Sequence, residues 1–207
     1  MNRIRQSARC TPVIHQYEDF MLHSTTCLLA EAYMTNPLNM KALGEDDFQT
    51  HVEFFRLALG SLKGTKVVVM SDDNIIGFMH WVHCSQCQSS LSEKLILAPQ
   101  MIFSLGWRPT VRVSRWLSTW SAHDLQTEHL HLGPIAVDPV MQGYGIGGKL
   151  MEHFCKHLDE VGLDGYLETD RRENVRFYNR FGFEIIKEVS VLGVPNYMMC
   201  RKTNNLI

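Results

Sequence analysis

No stretch of this sequence is apolar for long enough to cross a bilayer. The longest such run, Leu95 to Trp107, is interrupted by Pro99 and falls short of the roughly 20 residues a spanning helix needs. No apolar signal core follows the small basic start at Arg3, Arg5 and Arg9, so secretion is not supported. Charge of neither sign dominates. The 20 Lys and Arg face 22 Asp and Glu, so nothing argues for a nucleic-acid surface, which would need a clustered basic excess. A second cysteine pair to match Cys84 and Cys87 is missing too. The six cysteines, at 10, 27, 84, 87, 155 and 200, lie mostly alone in apolar segments, as reduced thiols of a cytoplasmic protein do. Internal repeats, linkers and low-complexity segments are absent. What remains is 207 residues, 45% hydrophobic and 20% charged, which suits one globular domain over 1–207.

Against that plain background stands Gln142-Gly143-Tyr144-Gly145-Ile146-Gly147-Gly148-Lys149, with four glycines in six positions. A strand-like run, Leu132 to Val137, precedes it, followed by Asp138-Pro139. After it comes a helix-period segment, Leu150, Met151, Phe154, Leu158 and Val161, closed by Gly162. A glycine loop that opens a helix presents bare N–H groups at the positive end of the helix dipole, and so suits an anion. Gly143, Gly148 and Lys149 fit a nucleotide P-loop, but Leu150 replaces the hydroxyl residue that would hold magnesium. Gly143, Gly145 and Gly148 fit a dinucleotide fingerprint, but five residues separate them from their strand. Gln142, Gly145 and Gly147 satisfy Q-x-x-G-x-G. A ligand-free turn would also fit the loop taken alone.

Further along, Gly165 to Thr169 reads as a strand, and Val175, Phe177, Tyr178 and Phe181 follow a helical period that Gly182 ends. Earlier segments read as a strand at 11–17, helices at 20–34 and Asp46 to Leu59 (ended by Gly60), and a hairpin of Lys66–Met70 with Ile75–His83. Residues 84–128 form a helical insertion, Leu91 to Leu105 and Val111 to Trp120, with Gly106 to Thr110 between. Glu184–Val189 and Tyr197–Arg201 pair, with Gly193 and Pro195 in their turn. This order predicts an α/β fold: a mixed, mostly antiparallel sheet of six to seven strands with helices on both faces.

Q-x-x-G-x-G, followed by Asn174, Tyr178 and Gly182-Phe183, resembles the two signatures of the GNAT superfamily of N-acetyltransferases. Several stretches resemble its puromycin N-acetyltransferase branch: Asn36-Pro37-Leu38, Arg115-Trp116-Leu117, His129 to Pro139, Leu167-Glu168-Thr169 and Met199 to Lys202. The resemblance implies an acetyl-CoA-dependent transfer to a primary amine, within a ternary complex and without an acyl-enzyme. No cysteine falls at the family's site. It implies that the strand ending at Val137 splays from its neighbour, so that Ile135, Ala136 and Val137 offer free backbone groups to the pantetheine arm. Pro134, which has no N–H, is consistent with a broken ladder there. Gln142, Gly143, Tyr144, Gly145, Ile146, Gly147, Gly148 and Lys149 would cradle the pyrophosphate, glycine being needed so that no Cβ blocks close approach. Asn174 and Phe177 would contact the cofactor.

Tyr178 matches the family's tyrosine near the coenzyme sulfur, where a phenol could protonate the departing thiolate. Spacing alone would equally suit a core aromatic. Two residues compete for the base: His131, which shares a strand face with His129, and Glu168, which ends the next strand. Asn174 could also be a helix cap. Trp107, Trp116 and Trp120 could line an acceptor pocket between the insertion and the turn near 190–196. The H-x-x-H-C-x-x-C string of His80, His83, Cys84 and Cys87 is not taken as a metal site, because a strand points its two histidines apart. The expected partners are acetyl-CoA and a small-molecule amine, with a homodimer left open. A coenzyme-binding sensor without turnover is the alternative.

Overall fold

A computed structural model describes residues 13–44, 47–87 and 90–203. The basic start, Cys10, the opening of the first expected strand and Asp46 lie outside them. Seven strands form one sheet: β1 (Val13–Gln16), β2 (Thr65–Ser71), β3 (Asn74–His83), β4 (His129–Val137), β5 (Asp164–Thr169), β6 (Glu184–Val191) and β7 (Val194–Arg201). Their order is β1-β2-β3-β4-β5-β7-β6, antiparallel throughout except for the parallel pair β4–β5. The expected mixed sheet is therefore present, at the upper end of the expected strand number.

Both hairpins close through residues of positive φ. These are Asp72 and Asp73 between β2 and β3, and Leu192 and Gly193 between β6 and β7. Paired left-handed residues match the twist of the flanking strands. Pro195, expected in the second turn, instead sits in β7 opposite Ser190.

Eight helices accompany the sheet among the described residues: α1 (Leu22–Tyr33), α2 (Pro37–Leu43), α3 (Phe48–Ser61), α4 (Cys84–Cys87), α5 (Leu91–Leu105), α6 (Trp107–Ser121), α7 (Ile146–Val161) and α8 (Arg172–Asn179). Asn36-Pro37 opens α2. Asn36 caps α2 by accepting from the Asn39 N–H at 3.0 Å, and Pro37 takes the first helical position, where no N–H is needed. Gly60 lies inside α3, which runs on to Ser61. The expected break at Gly106 to Thr110 shrinks to Gly106 alone, whose φ of 83° turns α5 directly into α6.

Alternation along the strands divides the core. Val67, Val69 and Met79 face α7 and α8, where Leu150, Met151, Phe154 and Leu158 are fully buried. Val68 and Phe78 face the other way, onto Leu28 and Leu29 of α1 and Val52, Phe55 and Leu59 of α3. A third cluster joins the insertion to the rest: Leu38, Ala42 and Leu43 of α2, Met101 and Leu105 of α5, Val113 and Trp116 of α6, and Val191. Leu192 and Val194 pack against it, which joins the insertion to the turn between β6 and β7.

Candidate functional site

Strands β4 and β5 pair only at their starts, His129–His131 against Asp164–Tyr166. Beyond His131 they part, and a cavity of about 910 Å³ opens between them. β4 supplies its floor from His131 to Val137. Tyr33, Phe54 and Phe55 come from α1 and α3, and Trp116 and Trp120 from α6. Asn174, Phe177 and Tyr178 of α8 close another side, and Gln142, Gly143 and Gly145 to Gly148 form the mouth. Tyr144 and Lys149, expected at the cofactor, do not line this cavity, and Tyr144 points largely into solvent. The splay is as expected, but the carbonyls on its edge are not all free. Ile135 O accepts from Tyr33 Oη at 3.0 Å, and Val137 O accepts from Gln142 Nε2 at 3.3 Å.

The glycine loop enters α7 without any side-chain cap, through Gly145 in the left-handed region at φ 83° and ψ 0°. The first intrahelical bond is Lys149 N–H to Gly145 O, 3.1 Å, so the N–H groups ahead of it have no partner within the helix. That cradle suits a diphosphate. The reason for glycine differs along the loop. At Gly143 and Gly145 a Cβ would meet no protein atom within 4 Å, and positive φ is what requires glycine. At Gly147 a Cβ would come within 3.4 Å of Phe177 Cζ. Gly148 has neither constraint.

Tyr178 is buried, and burial with Tyr33 and Asp170 nearby pushes its phenol well above its ordinary value, so it keeps its proton. Arg171, not Asn174, occupies the N-cap of α8. Asn174 is thus a cavity-lining residue rather than a cap.

The two base candidates turn out to be partners. His131 Nε2 lies 2.7 Å from Glu168 Oε2, with the glutamate side chain 2% exposed. Burial pulls the imidazole pKa down. The Glu168 charge, with hydrogen bonds to Cys87 and Glu168 and the Asp124 charge, outweighs that and raises it to about 10. Behind this pair, His129 Nε2 lies 3.2 Å from Asp124 Oδ1, and Cys87 Sγ donates to Asp124 Oδ2 at 3.2 Å. Burial works against the Asp124 charge, yet the bonds from His129 and Cys87 bring its pKa down to about 2.

The remaining candidates are dispersed. His80 is buried, with Nδ1 2.6 Å from Gly133 O and Nε2 against Lys63 O, so both ring nitrogens are engaged by backbone. His83 turns to Ser85. Trp107 is 64% exposed and stacks on Arg108, away from the cavity, whereas Trp116 and Trp120 line it. Cys87 does reach the site, against the expectation that no cysteine would. Sequence reasoning also missed Tyr33, Asp124 and Asp170. Asp170 accepts from Asn36 Nδ2 and the Leu38 N–H, both at 2.7 Å, and ties α2 to the end of β5. Its place directly after Leu167-Glu168-Thr169 was the available signal. Tyr33 and Asp124 carry no local pattern, since each meets the site only through tertiary contacts.

Residues 29–183 match the model of the acetyltransferase (GNAT) family. The sequence is 31% identical to mycothiol acetyltransferase of Mycobacteroides abscessus, over 39% of this chain and 36% of that one. The chain therefore spans little more than a third of that relative's length. The fold is similar to that of a histone acetyltransferase HPA2 and related acetyltransferase from Corynebacterium glutamicum, with TM-score 0.70 and 17% identity over 94% of this chain and 97% of that one. It is also similar to a polyamine N-acetyltransferase of Drosophila melanogaster that forms N-acetylagmatine, with TM-score 0.64 and 16% identity over 93% and 100%.

Proposed function

Because the chain belongs to the GNAT acetyltransferase family, we propose that it moves an acetyl group from acetyl-CoA to the nitrogen of a small-molecule primary amine. One observation carries this reading: a single cavity joins the uncapped glycine loop to the His131–Glu168 pair across the splayed strand. The Gly145 to Gly148 N–H groups bind the donor's diphosphate, and β4 from Ile135 to Val137 guides its arm. Attack is direct, in a ternary complex. His131, held by Glu168, takes the proton of the amine, and Tyr178 gives one to the departing thiolate. Tyr33, Phe54, Trp116 and Trp120 supply an apolar, aromatic seat for the body of the acceptor. The resemblance to the puromycin N-acetyltransferase branch and the polyamine-acetylating neighbour both support a small-molecule acceptor. The reading takes 1–207 as one domain working in the cytoplasm. The free thiols of Cys27, Cys84, Cys87, Cys155 and Cys200 and the lack of a membrane-length apolar helix among the described residues support it.

The test is thiol release from acetyl-CoA across aromatic amines, polyamines and peptide N-termini. Release with at least one small amine is expected. Tight acetyl-CoA binding with no release for any amine would replace the enzyme by a sensor.

A further inference from the structure

Cys87, Asp124 and His131 come from three separate elements: the end of α4, the turn after α6, and β4. Each offers one ligand atom, and the three atoms lie within 4.8 Å of one another. A tetrahedral zinc ion with bonds of about 2.0–2.3 Å would set its ligand atoms about 3.3–3.8 Å apart. Cys87 Sγ and Asp124 Oδ2 already stand at 3.2 Å, so small side-chain shifts would close the triangle. Thiolate, carboxylate and imidazole together favour zinc over magnesium or calcium, which take oxygen ligands.

The surroundings make this more than a chance meeting of side chains. Glu168 holds His131 Nε2 and leaves Nδ1 for a ligand, the carboxylate–histidine arrangement found behind metal-bound imidazoles. His129, fully buried and anchored through Nδ1 to Thr127 O at 2.7 Å, sets its Nε2 3.2 Å from Asp124 Oδ1, while Oδ2 faces Cys87. Cys87 and His131 line the cavity, so a fourth ligand position would open toward the acceptor seat.

We propose that Cys87, Asp124 and His131 form a binding site for zinc at the inner end of the cavity. Zinc is bound by the thiolate of Cys87, a carboxylate oxygen of Asp124 and neutral His131, with Glu168 and His129 as outer partners. One consequence rests on the function proposed above: an imidazole bound to zinc cannot accept the amine proton, so zinc occupancy shuts the transferase off.

The test uses the full chain, stripped with chelator and titrated with Co²⁺ as the spectroscopic probe. A thiolate-to-cobalt band in the near ultraviolet should saturate at one ion per chain and vanish when Zn²⁺ displaces cobalt. Cys87→Ser should abolish the band, Cys84→Ser should keep it, and Glu168→Gln should weaken cobalt binding about 10–100-fold. In the unsubstituted protein Zn²⁺ should shield Cys87 from iodoacetamide, read by peptide mass spectrometry. That arm does not depend on any variant folding. No band, or an undiminished band in folded Cys87→Ser, overturns the site. A bound ion that leaves thiol release unchanged upholds the site and overturns the proton-accepting role of His131.

Discussion

At the residue scale, proton placement decides what this cavity can do. Tyr178 holds its proton because a buried phenolate would be unsolvated, which suits a donor rather than a base. Tyr178→Phe removes the hydroxyl and little volume. Turnover should drop about 10²-fold or more while the dissociation constant for acetyl-CoA, read by calorimetry, stays within a few-fold. His131 is pulled the other way by Glu168. Its raised pKa means that free base accumulates only under alkaline conditions, so kcat/KM should climb with pH well past the ordinary histidine range. Glu168→Gln deletes the charge that holds the proton, and the rising limb should move toward acid. The same pair affects stability with a definite sign. Folding raises the imidazole pKa from 6.5 to about 10, so its contribution is complete below about pH 6.5 and fades as pH climbs through about 10. The urea midpoint of the unsubstituted protein should exceed that of Glu168→Gln by more near pH 6 than near pH 10. An unchanged gap would remove the coupling.

The glycine loop is an argument about an element, since what it offers is the open end of α7. Gly145 holds a left-handed conformation that costs an L side chain about 1–2 kcal/mol, so Gly145→Ala should lower the thermal midpoint and weaken donor binding together. Gly148→Ala separates the two effects. The added Cβ meets no protein atom, φ there is ordinary, and alanine favours a helix by about 1 kcal/mol over glycine. Stability should hold or rise while KM for acetyl-CoA increases several-fold, because the methyl group intrudes where the diphosphate approaches. Unchanged KM would move the diphosphate elsewhere. The insertion teaches a related lesson. Pro99 sits within α5 and Gly106 alone separates α5 from α6, so neither residue interrupts helix to the extent its type suggests.

For the molecule as a whole, the sheet must be rigid where β4 and β5 part. Phe154 of α7, with no exposed surface, packs against Trp81 of β3 at a ring separation of 5.6 Å and takes no part in lining the cavity. Phe154→Ala should cost about 3–5 kcal/mol of unfolding free energy in urea, and residual activity at low temperature should survive in the folded fraction. Trp116 differs, since it belongs both to the cluster that fixes the insertion and to the cavity wall. Trp116→Ala should therefore reduce stability and acceptor affinity together.

Local pattern alone was enough to place α7 and its glycine entry, the two hairpins, the helix that carries Tyr178 and a mixed sheet of six to seven strands, because helix period, strand period and turn chemistry are properties of neighbouring residues. His131 and Glu168 were visible singly as polar groups near strand ends. Their pairing, the arrival of Cys87 and Asp124 behind them, and Tyr33 on the Ile135 carbonyl came only from tertiary structure. The 37 positions between His131 and Glu168, and the 102 between Tyr33 and Ile135, leave no trace in local periodicity. Such meetings are set by which strands share an edge and which helix covers them. Sequence determined the parts that a chain segment can specify by itself, and packing decided which side chains face one another across the cavity.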